Sequence, residues 1–188
     1  MDFTTISIAI IIILVVYIIK IYNGLVTKRV HVNEGWSDIT VQLKRRYDLI
    51  PNLVDTVKGY AGHEKSTLES VIAARNSAAS NQGSAAEKAG SENILSGALR
   101  QLFALSESYP ELKANENFAK LQSELSAIEE HIQKSRRYYN GCVREMNTAV
   151  QVFPSNIVAG QFGFERATFF ELDDAEHEAV QDAPKVSF

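Results

Sequence analysis

The 188-residue sequence contains one cysteine, Cys142, and only four prolines. A single cysteine excludes an intrachain disulfide, and its place on an apolar helical stripe marks it as a small core residue rather than a reactive thiol. Scarce proline and few alternating apolar runs before residue 150 leave an almost entirely helical chain. With a net charge of −4 and a pI of about 5.6, the chain lacks the basic excess of a nucleic-acid binder. It also lacks a phosphate-cradling glycine loop and a serine-nucleophile elbow. A di-iron bundle needs paired Glu-x-x-His motifs. Asp174-Ala175-Glu176-His177 is a lone candidate, and His63-Glu64 lacks the second histidine of a zinc-protease helix. The expectation is a chain without catalytic residues, metal or cofactor.

What the sequence has instead is a long aliphatic run. Ile6 to Ile19 is nearly all aliphatic, and Phe3 to Tyr22 is about the length that crosses a hydrocarbon core. Tyr17 and Tyr22 suit an interfacial aromatic belt. A cleaved signal peptide would carry positive charge before the run and small residues after it, whereas Asp2 precedes and Lys20, Ile21 and Tyr22 follow. The run therefore reads as an uncleaved anchor over residues 1–22. Lys20, Lys28 and Arg29 close to its C-terminal end make them the headgroup partners, and place the N-terminus outside and the rest in the cytoplasm.

Four apolar stripes follow at helical spacing. Val32, Trp36, Ile39, Leu43, Tyr47, Ile50, Val54, Val57 and Ala61 form the first, interrupted by Pro51. Proline should leave the Tyr47 carbonyl without its helical donor and kink the helix, and a break into two helices is the alternative. A shorter helix from His63 or Glu64 carries Leu68, Val71, Ile72 and Arg75, and its partner begins after a loop to Ser91 with Ile94, Leu95, Leu99 and Leu102. The longest stripe runs Phe118, Leu121, Leu125, Ile128, Ile132, Ser135, Tyr139, Cys142, Met146, Ala149 and Phe153, with Asn115 as N-cap and Pro154 as stop. At 1.5 Å per residue this helix is roughly 55 Å long.

The fold class expected is all-α: an N-terminal transmembrane helix leading into an up-down-up-down four-helix bundle over residues 23–153, with two long and two short helices. A Phe-rich segment and an acidic tail occupy 154–188. The short helices reach only about 25 Å, so half of each long helix lacks a second layer. Trp36, Ile39, Tyr139, Met146 and Phe153 then need a cover, either residues 155–170 or a neighbouring subunit. The expectation is that the subunit dominates and the protein is a homo-oligomer. Phe162, Phe164, Phe169 and Phe170 pack on the bundle or a neighbour, or dip into the lipid interface. Arg46 beside Asp48 is either a surface ion pair or a buried contact that fixes the kink at Pro51.

Tyr22-Asn23-Gly24-Leu25-Val26, Trp36-Ser37-Asp38-Ile39, and above all the run from Gln42 through Arg46-Tyr47-Asp48-Leu49-Ile50-Pro51-Asn52-Leu53-Val54, resemble the LemA family. So do Tyr109-Pro110-Glu111-Leu112-Lys113-Ala114, Tyr139-Asn140 with Val143, and Phe153-Pro154. Met146-Asn147 departs from it where a second Tyr-Asn pair is expected. The resemblance implies a bacterial inner-membrane protein with one span, an outside N-terminus and a cytoplasmic helical bundle. It brings no catalytic residues. Family members are often encoded near membrane proteases, which makes such a protease a second partner to weigh beside membrane lipid. The functional expectation is a non-enzymatic scaffold or organiser that self-assembles at the bilayer. The alternative is an adaptor or regulator of a membrane protease, working through an exposed tip at 81–91.

Overall fold

The structure, a computed structural model, describes residues 2–172. Among them are six helices and no strand: α1 (Phe3–Lys58), α2 (Lys65–Ser80), α3 (Ala85–Ser106), α4 (Pro110–Lys113), α5 (Glu116–Gln151) and α6 (Ser155–Gln161). The acidic residues Asp173, Asp174, Glu176 and Glu178, with His177, lie outside the described residues. The described residues divide into two compact units, those up to Leu43 with Glu130–Phe169, and Lys44–Glu129 with residues 170–172. The boundary passes through α1 and through α5.

In the first unit α1 changes character at Tyr22. Before it the aliphatic side chains are exposed; after it Leu25, Val32, Ile39 and Leu43 are buried, a spacing of seven then four that keeps one face inward. The buried apolar residues of α5 in this unit are Ile132, Tyr139, Val143 and Met146. Gly35 sets how closely these helices approach, because a methyl group there would meet the Tyr139 Cα at 3.1 Å. Backbone cannot yield as a side-chain tip can. Gly35→Ala is therefore expected to lower stability by about 1–2 kcal/mol, through overpacking that exceeds alanine's helix-propensity gain. A thermal melt in detergent unchanged from the parent would contradict this close approach.

In the second unit the buried apolar residues are Ile50, Leu53, Val54 and Val57 of α1, Leu68 and Val71 of α2, Leu95, Leu99 and Leu102 of α3, Leu112 of α4, and Phe118 and Leu125 of α5. Asn115 caps α5, its Oδ1 accepting from the Phe118 N–H at 3.0 Å while its amide donates to the Tyr60 hydroxyl at 2.9 Å. α1 stays one helix through Pro51. The carbonyl that Pro51 deprives of a donor, that of Tyr47, accepts instead from Arg75 Nε at 3.0 Å.

Two helix boundaries, the facing of one residue and one additional helix differ from the sequence expectation. α3 begins at Ala85 rather than after Ser91, because Ser84 and Glu87 form a reciprocal capping box. Ile94, expected on the inner face, is exposed. α5 ends at Gln151, so Phe153 leaves the stripe and stands exposed, and a further short helix, α6, follows a cis Phe153–Pro154 bond.

Candidate functional site

Two constellations of polar and aromatic groups stand out, one in each unit. In the second unit Arg46 and Glu92 are both wholly buried and paired. Arg46 Nη1 also donates to Glu129 Oε1 at 2.6 Å, and Glu129 keeps about a third of its side chain in solvent, 36%. The other oxygen of Glu92 accepts from the Tyr47 hydroxyl. Burial alone would lower the proton affinity of Arg46, but Glu129 and Glu92 outweigh it and hold the guanidinium above its usual value. Lys88 completes the cluster. Its ammonium caps the end of α2, donating to the carbonyls of Ala78 at 3.2 Å and Asn81 at 3.0 Å, and lies 5.6 Å from the Tyr47 ring centroid.

Each oxygen of Glu92 accepts from one partner, a guanidinium and a phenol, and among the described residues no group of three or more His, Cys, Asp or Glu could hold a metal ion. Tyr47 makes the network sensitive to alkali. Burial first, then the hydrogen bond to Glu92 and its negative charge, push the phenol up from its ordinary value of 10.0. Above about pH 10 the unfolded chain sheds this proton while the folded chain keeps it, so unfolding releases a proton and stability falls as pH rises. The expected result is a midpoint that drops more steeply between pH 9.5 and 11 in the parent than in Tyr47→Phe, read by denaturant titration. Equal slopes would show that Tyr47 is not held in this way.

A groove of about 610 Å³ lies elsewhere in the same unit, lined among others by Pro51, Val54 and Lys58 of α1 and by Leu68 and Ile72 of α2.

In the first unit the centre is Tyr22. Its ring packs edge-on against Phe162 at 4.9 Å and Phe164 at 5.7 Å, and the Arg29 guanidinium lies 4.8 Å over the Phe164 ring. Downstream the chain is strapped to α5. The Asn147 amide donates to the Ala167 carbonyl at 2.9 Å and accepts from the Ala167 N–H at 2.8 Å, and the Tyr139 hydroxyl donates to the Thr168 carbonyl at 2.8 Å. Trp36 packs on Tyr139 with 5.4 Å between ring centroids.

The sequence model of the LemA family matches residues 35–188. The chain belongs to the LemA family. It is 26% identical over 157 residues to Protein LemA of Metamycoplasma hominis, covering 82% of this chain and 70% of that protein. It is 25% identical over 178 residues to Magnetosome protein MamQ 2 of Paramagnetospirillum magneticum, covering 80% of this chain. Magnetosome protein MamQ 1 of the same organism matches equally, and the aligned region spans 64% of each MamQ protein.

The residues that carried the resemblance now have physical roles. Arg46 is the buried cation of the second unit, but its partners are Glu92 and Glu129 rather than Asp48, which pairs with exposed Lys44 at 3.1 Å. The side chain that serves the Pro51 position is Arg75, not Arg46. Of the expected headgroup cations, Lys20 and Arg29 are exposed, and Lys28 pairs with Glu145 at 2.8 Å, lowering that carboxyl's pKa. Of the surface expected to await a neighbour, Ile39, Tyr139 and Met146 are buried within their own unit, where Tyr139 and Asn147 hold Thr168 and Ala167, while Trp36 is half-buried. Phe164 and Phe170 are buried and Phe169 is half-buried, whereas Phe153 and Phe162 remain exposed. The 81–91 segment is no loose tip: Asn81 bonds Gly83, Ser91 and the Glu87 carbonyl, and Lys88 turns inward.

Sequence reasoning passed over Glu92 and Lys88. The signal was there: 88, 92, 95, 99, 102 and 106 recur at spacings of four and three, placing both charges on the buried face of α3.

Proposed function

We propose that this chain is a non-enzymatic, single-pass protein of the bacterial inner membrane that self-assembles at the bilayer as a scaffold. In this reading residues 1–22 form the span, the N-terminus lies outside and the helical part is cytoplasmic. The observation that carries it is α1 itself: one stretch near its N-terminus is long and apolar enough to cross a membrane, and its side chains have no cover. Exposed aliphatic surface of that extent requires a lipid or protein environment. Membership of the LemA family and the MamQ relatives support a membrane-associated protein.

The second unit supports an up-down-up-down bundle, because Arg46, Tyr47 and Arg75 tie segments of α1, α2, α3 and α5 together. The alternative, an adaptor for a membrane protease, draws support from the groove between α1 and α2.

Full-length protein imaged in lipid vesicles tests the scaffold. Regular multi-subunit arrays with altered vesicle curvature are the expected result. Isolated monomers on vesicles of unchanged shape would overturn it.

A further inference from the structure

We propose that the turn joining α5 to α6 is a second lipid contact, dipping into the interfacial zone beside the point where α1 leaves the bilayer. It rests on the membrane-anchor reading above and adds a separate insertion site to it. Val152 and Phe153 in the turn, Ile157 on α6 and Phe162 at the end of α6 are 48%, 79%, 63% and 54% exposed, four large apolar side chains within eleven residues.

Three observations favour lipid as the occupant. The short helix that follows the turn ends against the candidate span, since the exposed Phe162 ring packs on Tyr22, the last residue of the apolar run. No charged residue occurs from Met146 to Phe164, so no ionised group in the turn opposes its leaving water. Much of its backbone is satisfied internally: the N–H groups of Val152, Asn156, Ile157, Phe162 and Phe164 all donate within the segment, and the Ser155 hydroxyl donates to the Ala149 carbonyl at 2.6 Å. A segment whose polar groups are paired loses little on entering an apolar medium.

The shape is fixed as well. Gly163, at φ 68°, and the Phe164 N–H bonded to the Ala159 carbonyl end α6 in a Schellman turn. Phe162 thereby stays outward while Phe164 turns inward. Arg29 over the Phe164 ring, and exposed Lys20, place positive charge where anionic headgroups would lie.

The test uses the full-length chain in phosphatidylglycerol–phosphatidylethanolamine vesicles with brominated or ordinary acyl chains. Tryptophan is introduced as Phe153→Trp or Phe162→Trp, and the native Trp36 signal is read from the parent chain and subtracted. About twofold quenching by brominated chains at both positions, with little at Trp36, is expected for interfacial insertion. Protein that floats with the vesicles but shows no quenching overturns the lipid contact while leaving the anchor intact. In that case a blue-shifted emission lost on dilution would assign the patch to a second copy, and a red emission to water. Protein that does not float overturns the anchor and this contact together.

Discussion

An Arg46→Ala chain is expected to lose about 3–5 kcal/mol of stability, centred on the second unit. The reason lies in what the mutation leaves behind. Glu92 has no exposed surface, and without the guanidinium it keeps only the Tyr47 hydroxyl as partner. Glu129 can turn toward water and suffers less. A buried carboxylate with one neutral donor either takes up a proton or draws water into the core, and both weaken the packing around Leu95 and Ile50. Removing both charges is a different experiment. Arg46→Met with Glu92→Leu replaces the pair by apolar volume and should recover most of the loss, because the desolvation cost disappears with the charges. Circular dichroism with denaturant, and hydrogen exchange over residues 44–58, measure these effects. An Arg46→Ala chain that melts with the parent would show that Glu92 is not held by Arg46.

The same pair shows how far the sequence was legible. Helix positions were open to reading because apolar residues recur at three and four, and this signal survives any arrangement of the helices. The family-bearing run around Arg46 was recognisable too. The partner of Arg46 was not. Asp48 is near Arg46 in sequence, but residues two apart on a helix face different sides, and the real partner lies 46 positions away on another helix. Burial selected it: an exposed Asp48 has water and Lys44, and a guanidinium in the core needs acids that are already in the core. Pro51 was read correctly as freeing the Tyr47 carbonyl, yet that Arg75 fills it depends on how α2 docks. The capping box of α3 stood in plain sight as Ser84-Ala85-Ala86-Glu87, and attention to small polar residues as loop formers hid it. The covering of Tyr139 and Met146 by residues 155–170 was ranked behind a neighbouring subunit for a related reason. Residues 155–169 have no long periodicity, and their order comes from α6, Gly163 and side-chain bonds from α5.

Those side-chain bonds lead to the second large effect, an Asn147→Ala chain in which the strap comes loose. Asn147 stands where the resemblance expects a Tyr-Asn pair, and the tyrosine position is occupied by Met146, buried with no polar tip to satisfy. The asparagine matters more. Its amide satisfies both the N–H and the carbonyl of Ala167, as a neighbouring strand would. Truncation removes two hydrogen bonds from a buried position and should cost about 2–4 kcal/mol, taking each at roughly 1–2 kcal/mol including desolvation. Ala167 is half-buried, so water can replace part of the loss, and local detachment is expected before global unfolding. Once residues 164–169 lift, the Tyr139 hydroxyl loses the Thr168 carbonyl, and the faces of Tyr139 and Met146 open to solvent. Hydrogen exchange in Asn147→Ala should therefore rise by at least about tenfold over residues 164–169, with smaller changes over 44–58. Asn147→Asp sharpens the test. The carboxylate still accepts from the Ala167 N–H but faces the Ala167 carbonyl with a second acceptor, so the strap should loosen at neutral pH. Protonating the new carboxyl restores a donor, and protection should return as the pH falls below its pKa. Uniform exchange in the parent and Asn147→Ala would show that α6 and Phe164, rather than Asn147, hold the cover in place.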